Sequence, residues 1–313
     1  MLPLNGLPPY SLAVCRMFLS TDLIARLEPI TIVLVAPQGA LNLGSIARVM
    51  KNMGLSRLTL VDPQCDPHGE EARRMAVHAF EVIEQARIVA TIPEAIAHVT
   101  RTIATTGRSR SRSVETPLLP PEIGLPWLLD TPSALLFGPE DRGLSNEELA
   151  YAQRFVCIPS SETYPSLNLA QAVAVCARDL VRAAQVDTTV QTDAIGPINP
   201  AQLIATMQAG STIARSTNPA DPADSTDPSD SADAADSDTA TNAAPIGQLE
   251  GYYDHLERVL LKIGYLQPHT ATARMEKFRR LFNRSQLSSQ EVAMLRGILR
   301  QVEWASRSSS ASE

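Results

Sequence analysis

The chain has 313 residues, 44% of them hydrophobic, enough for one full core and a second small one, since domains run about 100 to 200 residues. No apolar run approaches the roughly 18 to 20 residues of a membrane span, and the N-terminal stretch lacks the basic start and cleavage site of a secretory signal, so a cytoplasmic protein is expected. The formal charge of −7 argues against a nucleic-acid partner only until its position is seen: seven aspartates, Asp221, Asp224, Asp227, Asp230, Asp233, Asp236 and Asp238, lie in one stretch, and without them the rest of the chain is neutral.

Residues 1–28 carry no periodic pattern and read as an N-terminal extension. From residue 29 onward, apolar runs of strand length at 30–35, 58–61, 88–90, 102–105, 134–137 and 155–158 alternate with helical patterns. Such alternation predicts an α/β domain over 29–186, a parallel sheet with helices on both faces. One helix is predicted over 44–53, stopping at Gly54, and another opens at the capping-box pattern Ser145-x-x-Glu148. A third spans 169–184, with Leu169, Val173, Ala177 and Leu180 on one face.

Residues 187–247 are Ala, Asp, Ser, Thr and Pro with few large apolar side chains, a composition that cannot repay the entropy of ordering a core, so an acidic disordered linker is expected there. A small all-α domain is predicted over 248–305, followed by a tail, 306–313. Its first helix carries Tyr253, Leu256, Leu260 and Ile263 and ends at Gly264, its second carries Met275, Phe278, Leu281 and Phe282, and its third opens at Ser288-x-x-Glu291. Arg274, Lys277, Arg279, Arg280 and Arg284 concentrate on the middle helix, which is either a solvated face or a surface for RNA phosphates.

Cys15, Cys65, Cys157 and Cys176 are widely spaced, and His68, His78, His98, His255 and His269 are scattered, so neither a metal site nor a disulfide framework is expected.

Three segments stand at strand ends. The first runs from Pro37 to Arg48 and includes Asn42-Leu43-Gly44-Ser45-Ile46-Ala47-Arg48. Gly39, Gly44 and Ser45 resemble a phosphate loop, but the Lys that should precede the Ser is missing, which counts against a nucleotide hydrolase. A helix start there would offer free N–H groups to an anion. The second is Phe137-Gly138-Pro139-Glu140-Asp141-Arg142-Gly143-Leu144, whose two glycines point to a backbone forced close to a ligand. The third is Tyr164-Pro165-Ser166-Leu167-Asn168-Leu169-Ala170, where Ser166 and Asn168 read either as helix caps or as site residues. In a parallel sheet the C-terminal strand ends share one edge, so the three can converge.

In this order N-x-G-S-x-A-R, F-G-x-E-x-x-G-L and S-L-N-L-A resemble the three motifs of the TrmH-like branch of the SPOUT methyltransferases. Gly251-Tyr252-Tyr253-x-His255-Leu256-Glu257, Lys277-Phe278-Arg279-Arg280-Leu281-Phe282 and Leu295-Arg296-Gly297-Ile298-Leu299 are similar to the helical extension of those members that methylate tRNA at position 32. The resemblance covers about residues 29–185 and 248–304. It implies a homodimer with a C-terminal trefoil knot, S-adenosylmethionine as cofactor, no metal, and 2′-O-methylation of cytidine or uridine in tRNA. Methylation of another RNA, or a non-catalytic RNA-binding role, stays open beside it.

Carried over residue by residue, the cofactor would meet Thr105, Thr106, Gly107, Gly138, Ile158, Pro165, Ser166, Leu167 and Asn168. A ribose 2′-hydroxyl is a poor acid, so transfer needs its proton removed or its developing charge stabilised. Arg48 is the family's candidate, expected to act by charge because a guanidinium stays protonated, with Asn42 and Glu140 orienting it and Ser166 or Tyr164 nearby. RNA phosphates are expected at Arg48, at Arg108, Arg110 and Arg112, and at Lys277, Arg279 and Arg280.

Overall fold

The computed structural model describes residues 19–107, 118–161, 163–185 and 243–309. The expectations placed on residues 1–18, on Arg108, Arg110 and Arg112, on the acidic segment and on the last four residues lie outside the described residues. The chain divides into two compact units, one built from the N-terminal part through Gln185 and one from the C-terminal part.

In the first unit the strands β1 (Ile30–Val35), β2 (Arg57–Val61), β3 (Arg87–Val89), β4 (Arg101–Thr105), β5 (Leu118–Leu119), β6 (Ser133–Phe137) and β7 (Arg154–Val156) form one sheet in the order β3-β2-β1-β6-β4-β7-β5. The pairings of β1 with β2 and β6, of β2 with β3, and of β4 with β6 and β7 are all parallel. Every residue of β1 and β6 is buried, the continuous apolar pattern of strands covered on both faces.

The helices are α1 (Thr21–Leu27), α2 (Ala40–Asn52), α3 (Glu70–Ala76), α4 (Phe80–Glu84), α5 (Ile92–Ile96), α6 (Pro121–Gly124), α7 (Asn146–Leu149) and α8 (Leu169–Gln185). α2 buries Leu43, Ile46, Ala47 and Met50 and packs against α3, α4 and α8. Its crossing with α3 is close. A Cβ on Gly44 would lie 2.5 Å from the Ala72 carbonyl oxygen and 2.7 Å from Met75 Cβ.

The structure departs from the sequence-based expectation at the N-terminus. Residues 21–27 form a helix that buries Leu23 and Leu27 in the core, while Arg26 pairs with Asp130 at 2.9 Å and donates to the Ala184 carbonyl at 2.7 Å. The folded unit therefore begins before residue 29. Two turns of helix offer too few apolar positions for a period to be read.

The strand register sets the site. Leu34 pairs with Phe137, Ala104 with Leu136, and Thr105 with Val156, so the C-terminal ends of β1, β6, β4 and β7 stand side by side. The order reverses between β1 and β6, since β2 and β3 continue on one side and β4 and β7 on the other. Open α/β sheets bind ligands in the crevice beyond such a reversal.

The second unit contains α9 (Ile246–Lys262), α10 (Ala271–Ser285) and α11 (Ser289–Ser309). α9 packs against both others and buries Leu249, Tyr252, Tyr253, Leu256 and Val259. Tyr252 meets Phe282 edge-on at 5.3 Å, and the buried Tyr253 hydroxyl donates to Asn283 Oδ1 at 2.8 Å. Gly264, at φ +76°, follows the end of α9 in the left-handed region that favours glycine. The Ser288/Glu291 capping box opens α11 as expected: Ser288 Oγ accepts from Glu291 N at 3.2 Å and Glu291 Oε2 from Ser288 N at 2.7 Å.

Candidate active site at the β1–β6 edge

The carboxylate of Glu140, in the loop after β6, reaches across to the loop after β1. It accepts from the Gln38 and Gly39 backbone N–H groups at 3.0 and 3.1 Å and from Asn42 Nδ2 at 2.7 Å. Asn42 Oδ1 in turn accepts from Asn168 Nδ2 at 3.1 Å. Asn168 Oδ1 accepts from the Ala170 and Gln171 N–H groups at 2.9 and 3.4 Å, and Gln171 Oε1 accepts from Asn168 N at 3.3 Å. One chain of side chains thus ties together all three segments that the sequence singles out.

Burial would raise the Glu140 carboxyl, but the hydrogen bonds from Asn42, Gln38 and Gly39 outweigh it and hold the group below its ordinary value. This carboxylate also explains a correction to α2. The helix begins at Ala40 rather than near residue 44, with no side-chain cap on Gly39, because Glu140 serves the backbone just ahead of the first turn from elsewhere in the chain. Two of the N–H groups ahead of the helix that were expected to receive an anion are therefore already satisfied.

The loop after β6 is shaped by its glycines. A Cβ on Gly138 would lie 2.3 Å from Leu144 N and 2.4 Å from the Gly143 carbonyl carbon, and Gly143 itself stands at φ +67°. Arg142 pairs with Glu148 at 2.8 Å, and the Ser145/Glu148 capping box closes around α7.

Beside this network lie the positions expected to hold a cofactor. Thr105 Oγ1 donates to the Leu136 carbonyl at 3.1 Å, Thr106 N to the Val156 carbonyl at 3.0 Å, and Ser160 Oγ to the Pro165 carbonyl at 3.0 Å. A Cβ on Gly107 would meet nothing nearer than the Pro165 carbonyl oxygen, at 3.8 Å, so residue 107 stands beside the loop that carries Pro165. Ile158 is half-buried against the core, Ser166 is exposed, and Tyr164 is 79% exposed.

Arg48 is placed apart. It is exposed on α2 and among the described residues has no hydrogen-bond or ion-pair partner. Six residues separate it from Asn42 on one helix, about 240° of rotation, so the two point to different sides and Glu140 and Asn42 do not hold Arg48 directly.

Arg279 also departs from expectation. It pairs with Glu250, both side chains being mostly buried at 17% and 16% exposure, and its guanidinium lies 4.7 Å from the Tyr253 ring centroid. Burial raises the Glu250 carboxyl, and Arg279 draws it partly back. Arg280 reaches Glu276 at 3.4 Å, while Lys277 is exposed.

Two contributors escape the sequence reading. Gln171 completes the Asn168 turn, and its signal was Asn168-x-x-Gln171, a variant of the capping-box pattern. Gln38 contributes through its backbone, which no side-chain pattern marks. A pocket of about 550 Å³ opens beside the network, lined in part by Gln38, Asn42, Cys65 and Asp66.

Residues 29–178 match the SpoU rRNA Methylase family, and residues 247–312 match the family of the tRNA methyltransferase TrmJ C-terminal domain. The tRNA (cytidine/uridine-2′-O-)-methyltransferase TrmJ of Escherichia coli (strain K12) is 35% identical over 289 residues, covering 91% of this chain and 99% of that protein. That of Klebsiella pneumoniae subsp. pneumoniae is 35% identical over 281 residues, covering 88% and 97%. The crystal structure of TrmJ from Z. mobilis ZM4 superposes with a TM-score of 0.65 at 28% identity, covering 87% of this chain and 98% of that one. Motif order, sheet order and similarity along most of its length place the chain in one family: it belongs to the TrmJ family of SpoU-type methyltransferases.

Proposed function

We propose that this protein transfers a methyl group from S-adenosylmethionine to the ribose 2′-hydroxyl of a cytidine or uridine in tRNA, at position 32 of the anticodon loop. The observation that carries the reading is the Glu140–Asn42–Asn168 chain, which assembles the three segments at the edge where open sheets bind ligands. The relatives' names supply the reaction and the substrate class. The same reading takes the protein as a cytoplasmic homodimer with a trefoil knot around the loop before α8, and residues 248–305 as a helical domain for RNA.

The residues fit the cofactor. On this reading the backbones at 105–107 and 165–167, with Gly138 and Ile158 at neighbouring strand ends, would hold it largely through main-chain groups, and the Gly107 Cβ position lies 3.8 Å from the Pro165 carbonyl oxygen. When bound there, S-adenosylmethionine supplies an electrophilic methyl group on a sulfonium. Glu140, Asn42 and Asn168 hold the three loops in one geometry, which is how positioning lowers a barrier. Arg48, charged and without a partner among the described residues, is available to hold a target phosphate and to stabilise negative charge growing on the 2′-oxygen. No step calls for a Lewis acid.

The test is methyl transfer from labelled S-adenosylmethionine to unmodified bulk tRNA, with nucleoside analysis and mapping. 2′-O-Methylcytidine or 2′-O-methyluridine at position 32 is the expected product. Base-methylated nucleosides, or label entering ribosomal RNA alone, would overturn the reading.

A further inference from the structure

A pocket of about 390 Å³ opens between α9 and α11, lined by Gln248, His255, Ser289, Val292, Ala293, Arg296 and Arg300. Arg296 and Arg300 stand one turn apart on α11, both exposed, and among the described residues neither has a hydrogen-bond or ion-pair partner. Like charges at this spacing repel and weaken the helix that carries them. Glu303, one turn beyond, is already engaged by His255 at 3.6 Å and Lys262 at 3.8 Å. The cavity thus presents two free guanidiniums, flanked by an amide and a hydroxyl, and no carboxylate among its lining residues.

That lining suits a phosphate, because guanidiniums bind its oxygens in a planar fork and Gln and Ser side chains can donate to the remainder. On α9 Arg258, three residues after His255, adds one further cation on that side of the helix. One more guanidinium outside the pocket suits a second phosphate along a strand. The contrast with α10 is physical. Arg279 and Arg280 face Glu250 and Glu276, and Arg274 donates to the Tyr265 carbonyl at 3.1 Å.

We propose that the α9–α11 pocket is a phosphate-binding subsite for the tRNA backbone, with Arg296 and Arg300 as its principal contacts. The proposal rests on the tRNA reading above and relocates the main RNA contact of this unit from α10 to α11.

The test compares the full-length parent with Arg296→Glu/Arg300→Glu and with the uncharged Arg296→Gln/Arg300→Gln pair, which guards against misfolding by charge reversal. tRNA affinity is measured by fluorescence anisotropy across salt, alongside melting temperature and turnover at saturating tRNA. Both double variants should bind tRNA roughly tenfold or more weakly, with a salt slope shallower by about 1 to 2. Their melting temperature and saturated turnover should be unchanged, and Arg296→Lys/Arg300→Lys should retain most of the affinity. Unchanged affinity and slope in the folded variants would overturn the subsite while the parent's methylation of tRNA kept the functional reading intact. Thermal stabilisation of the parent, but not the variants, by inorganic phosphate with equal tRNA binding would also overturn it, in favour of a small-anion site. A parent that neither binds nor methylates tRNA would remove both.

Discussion

Asn168 Nδ2 donates to Asn42 Oδ1 at 3.1 Å across 126 residues of chain, and Asn42 Nδ2 donates onward to Glu140 Oε1 at 2.7 Å. The Asn42 amide is therefore read from both ends, one side as acceptor and the other as donor. An aspartate at 42 would be nearly the same shape but would set a carboxylate oxygen against Glu140. Asn42→Asp is expected to lose about 0.5 to 1.5 kcal/mol of stability, the scale of one hydrogen bond. Methyl transfer should fall at least about tenfold, since misplacing positioned groups is costly. Thermal melts and single-turnover assays would check this, and parent-like turnover would show that the three segments need no link through residue 42.

The pH dependence of stability should carry the mark of Glu140. Its folded-state carboxyl lies below the ordinary value of 4.5, so its contribution is fully present above about that pH and is lost as pH falls through the depressed value. Glu140→Gln keeps the shape but turns an amide donor toward a donor already present, Gln38 N, Gly39 N or Asn42 Nδ2. The stability gap between parent and variant is expected to stay constant from pH 7 to about 5 and to narrow below the ordinary carboxyl value. Urea midpoints at several pH values would show it. A gap that widened on acidification would contradict the assigned direction.

These two residues show what could be read in advance. Asn42, Glu140 and Asn168 were marked by their motifs, and the alternation of apolar runs placed the six longer strands within a residue or two of where they lie. The Ser145/Glu148 and Ser288/Glu291 patterns marked real helix starts because a capping box is a local interaction. The first turn of α2 was not legible, because the carboxylate beside it comes from residue 140. The pairing of Arg279 with Glu250 was not legible for a similar reason. A basic cluster looks the same in sequence whether it faces solvent or Glu250, and only packing separates the cases.

Arg48 offers the opposite profile, an exposed side chain with no partner among the described residues. Arg48→Lys should leave the unfolding free energy within about 0.5 kcal/mol of the parent's, as for surface substitutions. Turnover with saturating tRNA should drop roughly a hundredfold, the scale for removing a donor that stabilises developing charge. A lysine keeps one charge but loses the planar fork. If Arg48→Lys retained near-normal turnover, the role given to Arg48 would be wrong.

Removing Arg279 should behave as damage to a core. Arg279→Ala leaves Glu250 buried without its counter-charge, a change that costs about 3 to 5 kcal/mol when one member of a buried pair is lost. The Glu250 carboxyl, already raised by burial, is expected to rise further. Calorimetry should show a lowered transition for the C-terminal unit, and tRNA binding at low temperature should weaken no more than the unfolded fraction accounts for. Full stability with weakened tRNA binding would return Arg279 to the RNA surface.

Two glycine-to-alanine changes separate packing from propensity. Both residues lie inside helices, where alanine is intrinsically favoured by about 1 kcal/mol. Gly297, in α11, has nothing within 4 Å of the position a Cβ would take, so Gly297→Ala is expected to stabilise the protein by about 0.5 to 1 kcal/mol. Gly44, in α2, faces α3 with the Ala72 carbonyl oxygen at 2.5 Å, Met75 Cβ at 2.7 Å and Ala76 N at 2.9 Å from the added carbon. Two of these three atoms are backbone and cannot swing aside, so the helices would have to separate. Overpacking of this kind costs about 1 to 3 kcal/mol and should outweigh the gain in propensity. Because α2 carries Asn42 and Arg48, a shift of its axis also moves both relative to Glu140, and Gly44→Ala is expected to lower turnover as well as melting temperature. Equal stabilisation by the two substitutions would mean that α2 and α3 are not in the close contact on which the placement of Asn42 depends.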